Sequence, residues 1–360
     1  MRPTVNDIAR AAGVSLATVD RVLNARPGVR EKTIDAVNDA IRRLGYVRDV
    51  AAANLARSRI YRMAFVLPQT DGQFVAMIAD EARRADGLAA MARTEVGVLH
   101  YPAEDAHALA ALLAGLPDQG VDGVALMVPE TPVVRDAVRS LRETGIAVAT
   151  LVSDLPHSGR AHFVGVDNRA AGRTAAVLMG RFLGAGPAQI AAVADSMHLR
   201  ESVERRLGFD EVMLERFPGL EVLPTVETHG RPERLAEVLR DLLGHSSQAA
   251  GVYLLGTGQR ALTATLAALS LPRRPVVIAH DLTPHARAAL LDGRMDAVIA
   301  QNVGHLVRSA LRVLRANIDR VPFDAGQEQI RIEIVIRENL PPQAAEDTHE
   351  EGPQGPREEP

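Results

Sequence analysis

Between residues 62 and 340, short apolar runs of strand length recur, each followed by ten to twenty residues at helical spacing. The runs are MAFVLP (63–68), EVGVLH (95–100), VDGVALMV (121–128), IAVATLV (146–152), HFVGVD (162–167), QIAAVA (189–194), GVYLL (251–255), PVVIA (275–279) and DAVIA (296–300). Runs that are apolar without alternation suit strands buried on both faces, which implies parallel sheets covered by helices on both sides. So many units exceed one comfortable sheet, and the pattern predicts two Rossmann-like lobes with a cleft between them. RIEIVIRENLP (331–341) alternates polar and apolar residues and reads as a closing strand.

The first sixty residues have no strand pattern. Thr4 is placed to cap a first helix that buries Val5, Ile8, Ala9 and Ala12, with Asp7 in the capping-box region. Gly13 ends it. Ser15 caps a second helix whose apolar side is Leu16, Val19, Val22 and Leu23, and a third buries Ile34, Val37, Ile41 and Leu44 before Gly45. Three short helices with a tight turn between the first two form a helix-turn-helix unit. Such a unit lays its second helix in the DNA major groove. Leu16 and Ala17 can there touch a thymine methyl, and Arg21 can pair with guanine. Ser15, Thr18 and Asn24 are candidates for phosphate contacts. A three-helix packing or protein-binding module is the alternative.

Charge distribution bears on that choice. The net charge is −4, yet residues 1–62 hold twelve Lys plus Arg against six Asp plus Glu, a balance of +6. The basic footprint thus belongs to the N-terminal segment alone. Lys32 is the sole lysine, so the abundance of arginine partly reflects compositional bias. Residues 341–360 are proline-rich and acidic and are expected to form a disordered tail.

The stretch TVNDIARAAGVSLATVDRVLN, followed by GVREKTIDAVNDAIRRLGYVRD, resembles the N-terminal domain of the lac-repressor (LacI/GalR-type) transcription regulators. AGVS, the TV and RVLN run, and LGY at the end of the third helix carry the resemblance. The strand-helix region with its final RENLP resembles that family's periplasmic-binding-protein-like effector domain, so the likeness covers all but the tail. It implies four segments: a DNA-binding domain over 1–48, a hinge helix or linker over 49–61, a two-lobed effector and dimerisation domain over 62–340, and the tail. It implies that the hinge, with Ala52 and Leu55, enters the minor groove of a palindromic operator beside its twin, Leu55 acting as a wedge. Thr4 joins the DNA-binding set on the same basis. The sequence departs from the family at Asp20, where serine is usual, and at Arg30, where a small capping residue is usual.

Ligands of doubly wound sheets sit at the carboxyl ends of strands. The residues there are Gln69, Asp71 and Phe74, then Asp167 and Asn168, then Asp281, then Gln301 and Asn302, with Arg200 and Arg205 near a helix start in the second lobe. Carboxylates, amides and arginines suit the hydroxyls of a sugar or polyol, and Phe74 can cover an apolar ring face. The resemblance supports Arg205, Asp281 and Gln301 most directly. Each residue taken singly can equally be a helix cap or an ion pair between lobes. With 3% aromatic residues and no tryptophan, a stacking-dominated sugar site is disfavoured, and a phosphorylated sugar or another small polar metabolite is the alternative.

The chain has no cysteine, no apolar run near the roughly 20 residues of a membrane span, and charged residues where a signal peptide needs apolar ones. A cytoplasmic protein without cofactor or metal is expected, binding double-stranded DNA and a small effector as a homodimer, and not an enzyme. Two rivals share the α/β pattern. Gly256, Gly258 and Ala261 approximate a dinucleotide fingerprint with Asp281 on the next strand, and a secreted solute-binding protein would have the same two lobes. His280 and His285 flank a helix start and are expected to be capping or surface residues.

Overall fold

The computed structural model describes residues 3–23, 27–46, 59–89, 93–184, 186–244, 249–269, 271 and 273–342. The chain separates into two units, residues 1–59 and 60–360. Asn24, Ala52 and Leu55, most of the linker and most of the tail lie outside the described residues.

The first unit contains α1 (Val5–Ala12), α2 (Leu16–Leu23) and α3 (Glu31–Leu44). Thr4 and Asp7 form a reciprocal capping box: the Asp7 amide donates to Thr4 Oγ1 and the Thr4 amide donates to the Asp7 carboxylate at 2.8 Å. Gly13 and Gly45 close α1 and α3 in the left-handed conformation, φ 66° and 60°. The Thr18 amide donates to Ser15 Oγ at 3.2 Å, whereas Arg30 offers α3 no side-chain cap. Ile8, Ala9, Val19, Val37 and Ala40 are the buried centre. Two expectations are corrected: Leu16 is 50% exposed, so it is not on the apolar side of α2, and Ala40 takes the central place expected for Ile34.

The second unit holds two parallel sheets. The first lobe is built on β1 (Tyr61–Gln69), β2 (Thr94–Pro102), β3 (Gly123–Leu126), β4 (Ala147–Leu151) and β5 (His162–Val164), in the order β2-β1-β3-β4-β5. Its helices are α4 (Gln73–Ala89), α5 (Ala106–Ala114) and α6 (Pro132–Glu143).

The second lobe begins with α7 (Asn168–Leu183) and contains β6 (Ala188–Ala194), α8 (Arg200–Arg216), β7 (Leu220–Val222), β8 (Val226–Glu227) and α9 (Pro232–Gly244). It continues with β9 (Ala249–Leu254), α10 (Gln259–Ala268), β10 (Val276–His280), α11 (Pro284–Leu291) and β11 (Ala297–Ala300). Its sheet runs β12-β11-β10-β9-β6-β7, with β8 also on β6, and the closing strand β12 (Glu333–Val335) pairs antiparallel with β11. The pairs β7 and β8 have no counterpart in the sequence reading.

The chain passes between the lobes three times. After β5 it enters α7, whose Ala171, Ala175 and Met179 pack into the second-lobe core. After β11 it returns as α12 (Val303–Asp319), whose Leu306, Ala310 and Leu314 pack into the first-lobe core, and it then goes back to β12. No helix among the described residues is long and apolar enough to cross a membrane.

Candidate functional site

At the start of α2, Ser15, Leu16, Ala17 and Arg21 are exposed and Thr18 is half-buried. The Ser15 and Thr18 hydroxyls lie 2.9 Å apart and the Thr4 hydroxyl donates to Asp7 at 2.7 Å, so these three also stabilise their own turns. Leu16 and Ala17 have no such structural duty, and they offer apolar contact at the end of the helix that a groove would receive first.

In the second unit, the centre of the candidate site is Arg205, only 2% exposed. Its Nε donates to Asn168 Oδ1 at 2.9 Å and its Nη1 to the Leu255 carbonyl at 2.6 Å. Asn168 Nδ2 in turn donates to the Val152 carbonyl of the first lobe at 3.1 Å. Two glycines set this geometry: a Cβ on Gly172 would meet the Arg205 carbonyl oxygen at 1.9 Å, and one on Gly208 would meet that of Arg169 at 2.0 Å. Helices α7 and α8 therefore cross at backbone contact, which fixes Asn168 and Arg205 against each other.

Asp281 follows β10 with φ 66°, a left-handed conformation uncommon for a side chain bearing Cβ. Gln301 Nε2 donates to its Oδ1 at 3.1 Å. Burial pushes the Asp281 carboxyl up, against the pull of the Arg205 charge and the Gln301 hydrogen bond. Gln259 braces the turn: its amide donates to the carbonyls of His280 and, at 2.9 Å, Asp281, while Thr283 donates back to it at 2.8 Å. Gly258 has φ 106° at the start of α10, so turn geometry accounts for that glycine of the fingerprint-like loop. His280 is not at the surface as expected. It is 1% exposed, hydrogen-bonded to Tyr253 at 2.8 Å, and burial holds its pKa well below the ordinary value. His285 is half-buried, with its ring 2.7 Å from Thr263 Oγ1.

The remaining predicted residues have different positions. Asp167 is exposed and caps α7 by accepting from the Ala170 amide at 2.9 Å. Arg200 joins the lobes through Glu130 at 3.0 Å and also pairs with Glu204. It lines a cavity of about 440 Å³ with Glu130, Met197, His198, Val203, Glu204 and Leu207, which does not include Arg205, Asp281 or Gln301. Asp71 is exposed on the turn before α4, where the neighbouring Gln73 Oε1 accepts from the His285 amide across the lobes at 3.2 Å. Phe74 is buried and packs in the first-lobe core.

The lobe architecture and the three-helix unit together match known families. Residues 63–320 match the periplasmic binding protein domain, and residues 4–49 match the bacterial regulatory proteins of the lacI family. The chain belongs to the lacI family. Catabolite control protein A of Priestia megaterium is 29% identical over 153 residues, 42% of this chain and 44% of that one. The match to this relative thus spans less than half of its length. The HTH-type transcriptional regulator GntR of Pseudomonas aeruginosa is 27% identical over 261 residues, 70% of this chain and 71% of that one. Among solved structures, a solute-binding protein of an ABC transporter from Burkholderia graminis, in complex with D-arabinose, superposes with a TM-score of 0.69 at 24% identity, covering 78% of this chain and 96% of that one. GanP, a glucose-galactose binding protein from Geobacillus stearothermophilus, gives 0.70 at 17% identity, covering 79% and 99%. At these identities the structural matches establish the fold.

Within this lacI-family chain the cleft holds polar groups that sequence reasoning missed. Glu201 is 5% exposed and Ser153 is 1% exposed. Both have a buried oxygen without a hydrogen-bond partner, as does Gln301 at Oε1. Tyr101 donates to the Met127 carbonyl at 2.9 Å, and burial with the Glu201 charge pushes its hydroxyl pKa up. Glu201 precedes Arg205 by four residues, the one signal that would have placed it on the same face of α8. Among the described residues, no cluster of three or more His, Cys, Asp or Glu could hold a metal ion.

Proposed function

We propose that this chain is a sequence-specific, DNA-binding transcription regulator, acting as a repressor in the cytoplasm, that is controlled by a small polar effector held between the two lobes of its second unit. The observation that carries the effector half is the buried array of Arg205, Asn168, Asp281 and Gln301 at the carboxyl ends of β9, β10 and β11 and at the start of α7. A buried guanidinium, carboxylate and amide set at fixed positions suits the hydroxyls of a sugar or polyol better than it suits an apolar ligand. The exposed Leu16, Ala17 and Arg21 at the start of α2 support the DNA half. The chain works as a homodimer whose twofold axis calls for a palindromic operator, with half-sites about one helical turn apart.

In this reading the effector prefers one lobe arrangement, and the resulting population shift alters the spacing of the paired N-terminal units. Fluorescence anisotropy of the full chain and of residues 62–360 tests it, on duplex from upstream of the chain's own gene, across a salt series and with sugars and polyols added. Specific binding by the full chain alone, with a steep salt slope and a shift on adding a sugar, is expected. Equal binding by both chains, or binding indifferent to every sugar and polyol, would overturn it.

A further inference from the structure

Glu201 is a buried acid of the second lobe with an unpartnered oxygen. It is 5% exposed, its Oε2 is buried without a hydrogen-bond partner, and it forms no ion pair among the described residues. A carboxylate taken from water without a partner is costly, and such groups persist where a cation or donor completes them. Arg205, one helical turn away, does not do so: it donates to Asn168 and Leu255 and makes no ion pair among the described residues. The second carboxylate, Asp281, receives one hydrogen bond, from the Gln301 amide. Gln301 Oε1, after β11, and Ser153 Oγ, after β4, are also buried oxygens without a partner. Two carboxylates share the interior with one guanidinium, and the unmet hydrogen-bonding capacity is mainly for donors.

Resting on the reading of this cleft as the effector site, we propose that the effector carries a protonated amine, seated against Glu201, on a small hydroxyl-bearing frame. The ammonium supplies the missing positive charge and donors to Glu201. Hydroxyls donate to Gln301 Oε1 and Ser153 Oγ and accept from Arg205 Nη2, which has no hydrogen bond among the described residues. A phosphorylated sugar fits this balance less well, since it would add negative charge beside Glu201. Burial, and after it the Glu201 charge, raise the pKa of both Tyr101 in the first lobe and Asp281 in the second.

The test is calorimetric titration and thermal melting of the full chain with matched sets: D-glucosamine, D-galactosamine and D-mannosamine, their neutral parents, their N-acetyl forms and the parents' 6-phosphates. One amine is expected to bind at least about tenfold more tightly than its neutral parent and its N-acetyl form, the size expected when a buried charge gains its partner. In Glu201→Gln that ratio should fall towards one. If this variant does not fold, the wild-type comparison decides alone. A neutral parent or a phosphate binding as tightly as the amine would overturn the proposal while leaving a sugar-binding cleft. Absence of binding by every compound would overturn both.

Discussion

Gly172 of α7 faces the backbone carbonyl of Arg205 so closely that a Cβ would sit 1.9 Å from the oxygen. Backbone cannot yield as a flexible side chain can, so Gly172→Ala must push α7 and α8 apart. The expected loss is at the upper end of the roughly 1–3 kcal/mol of an overpacked core or beyond it. Gly186→Ala, with nothing within 4 Å of the added Cβ, should stay within about 0.5 kcal/mol. Denaturant titration of both variants checks this; equal stabilities would mean the crossing is looser than it stands here.

Arg205→Lys keeps a positive charge but loses the fork that reaches Asn168 and Leu255 together. One or both of the buried acceptors would be left unpaired, at about 1–3 kcal/mol each. The expected result is a lower melting temperature together with loss of effector binding. Unchanged melting would mean that water replaces the guanidinium and that its structural role is small.

His280 makes stability depend on pH in a defined direction. Its folded-state pKa lies well below the ordinary histidine value of 6.5, because burial and the Arg205 charge disfavour the imidazolium. The unfolded chain therefore binds a proton below pH 6.5 that the folded chain refuses. The contribution is complete above 6.5 and is lost as pH falls below it. His162 and His285, also lowered, act in the same direction. The melting temperature should fall between pH 7 and pH 5, and His280→Gln should flatten that slope in part. A slope unchanged in the variant would assign the effect to the other two.

Leu16 and Val19 lie on one short helix yet should answer differently to truncation. Val19 is 0% exposed, so Val19→Ala should cost about 2 kcal/mol of the first unit's stability. Leu16 is 50% exposed, so Leu16→Ala should leave stability within about 0.5 kcal/mol. Its expected effect is on operator binding, weakened about tenfold if it contacts a base edge. Circular dichroism melts and anisotropy separate the two.

The contrast between those two leucine-like positions also shows what sequence can and cannot convey. Strands β1, β4, β6, β9 and β10 were legible because burial on both faces leaves an unbroken apolar run. The three-residue β7 and two-residue β8, each with a glutamate, are too short to leave any periodicity. Helical spacing put Leu16 on the stripe with Val19, since a 3.6-residue period locates a face but not its edge. Arg205, Asp281 and Gln301 were legible as residues following strands or beginning a helix. Glu201 was not, because within RESVERR nothing distinguishes a buried charge from its solvated neighbours. Asp167, a ligand candidate in the sequence, also caps α7, a role that a carboxylate before a helix often has.

The three passages of the chain between lobes have a mechanical consequence. Three separate spans restrict how the lobes can move against each other more than a single connection would. Asn168 begins α7 at the first passage, and Gln301 directly follows β11 at the second. An effector held there, as proposed above, would act where the lobes are joined, so that a small displacement at the joint becomes a large swing at the far rim.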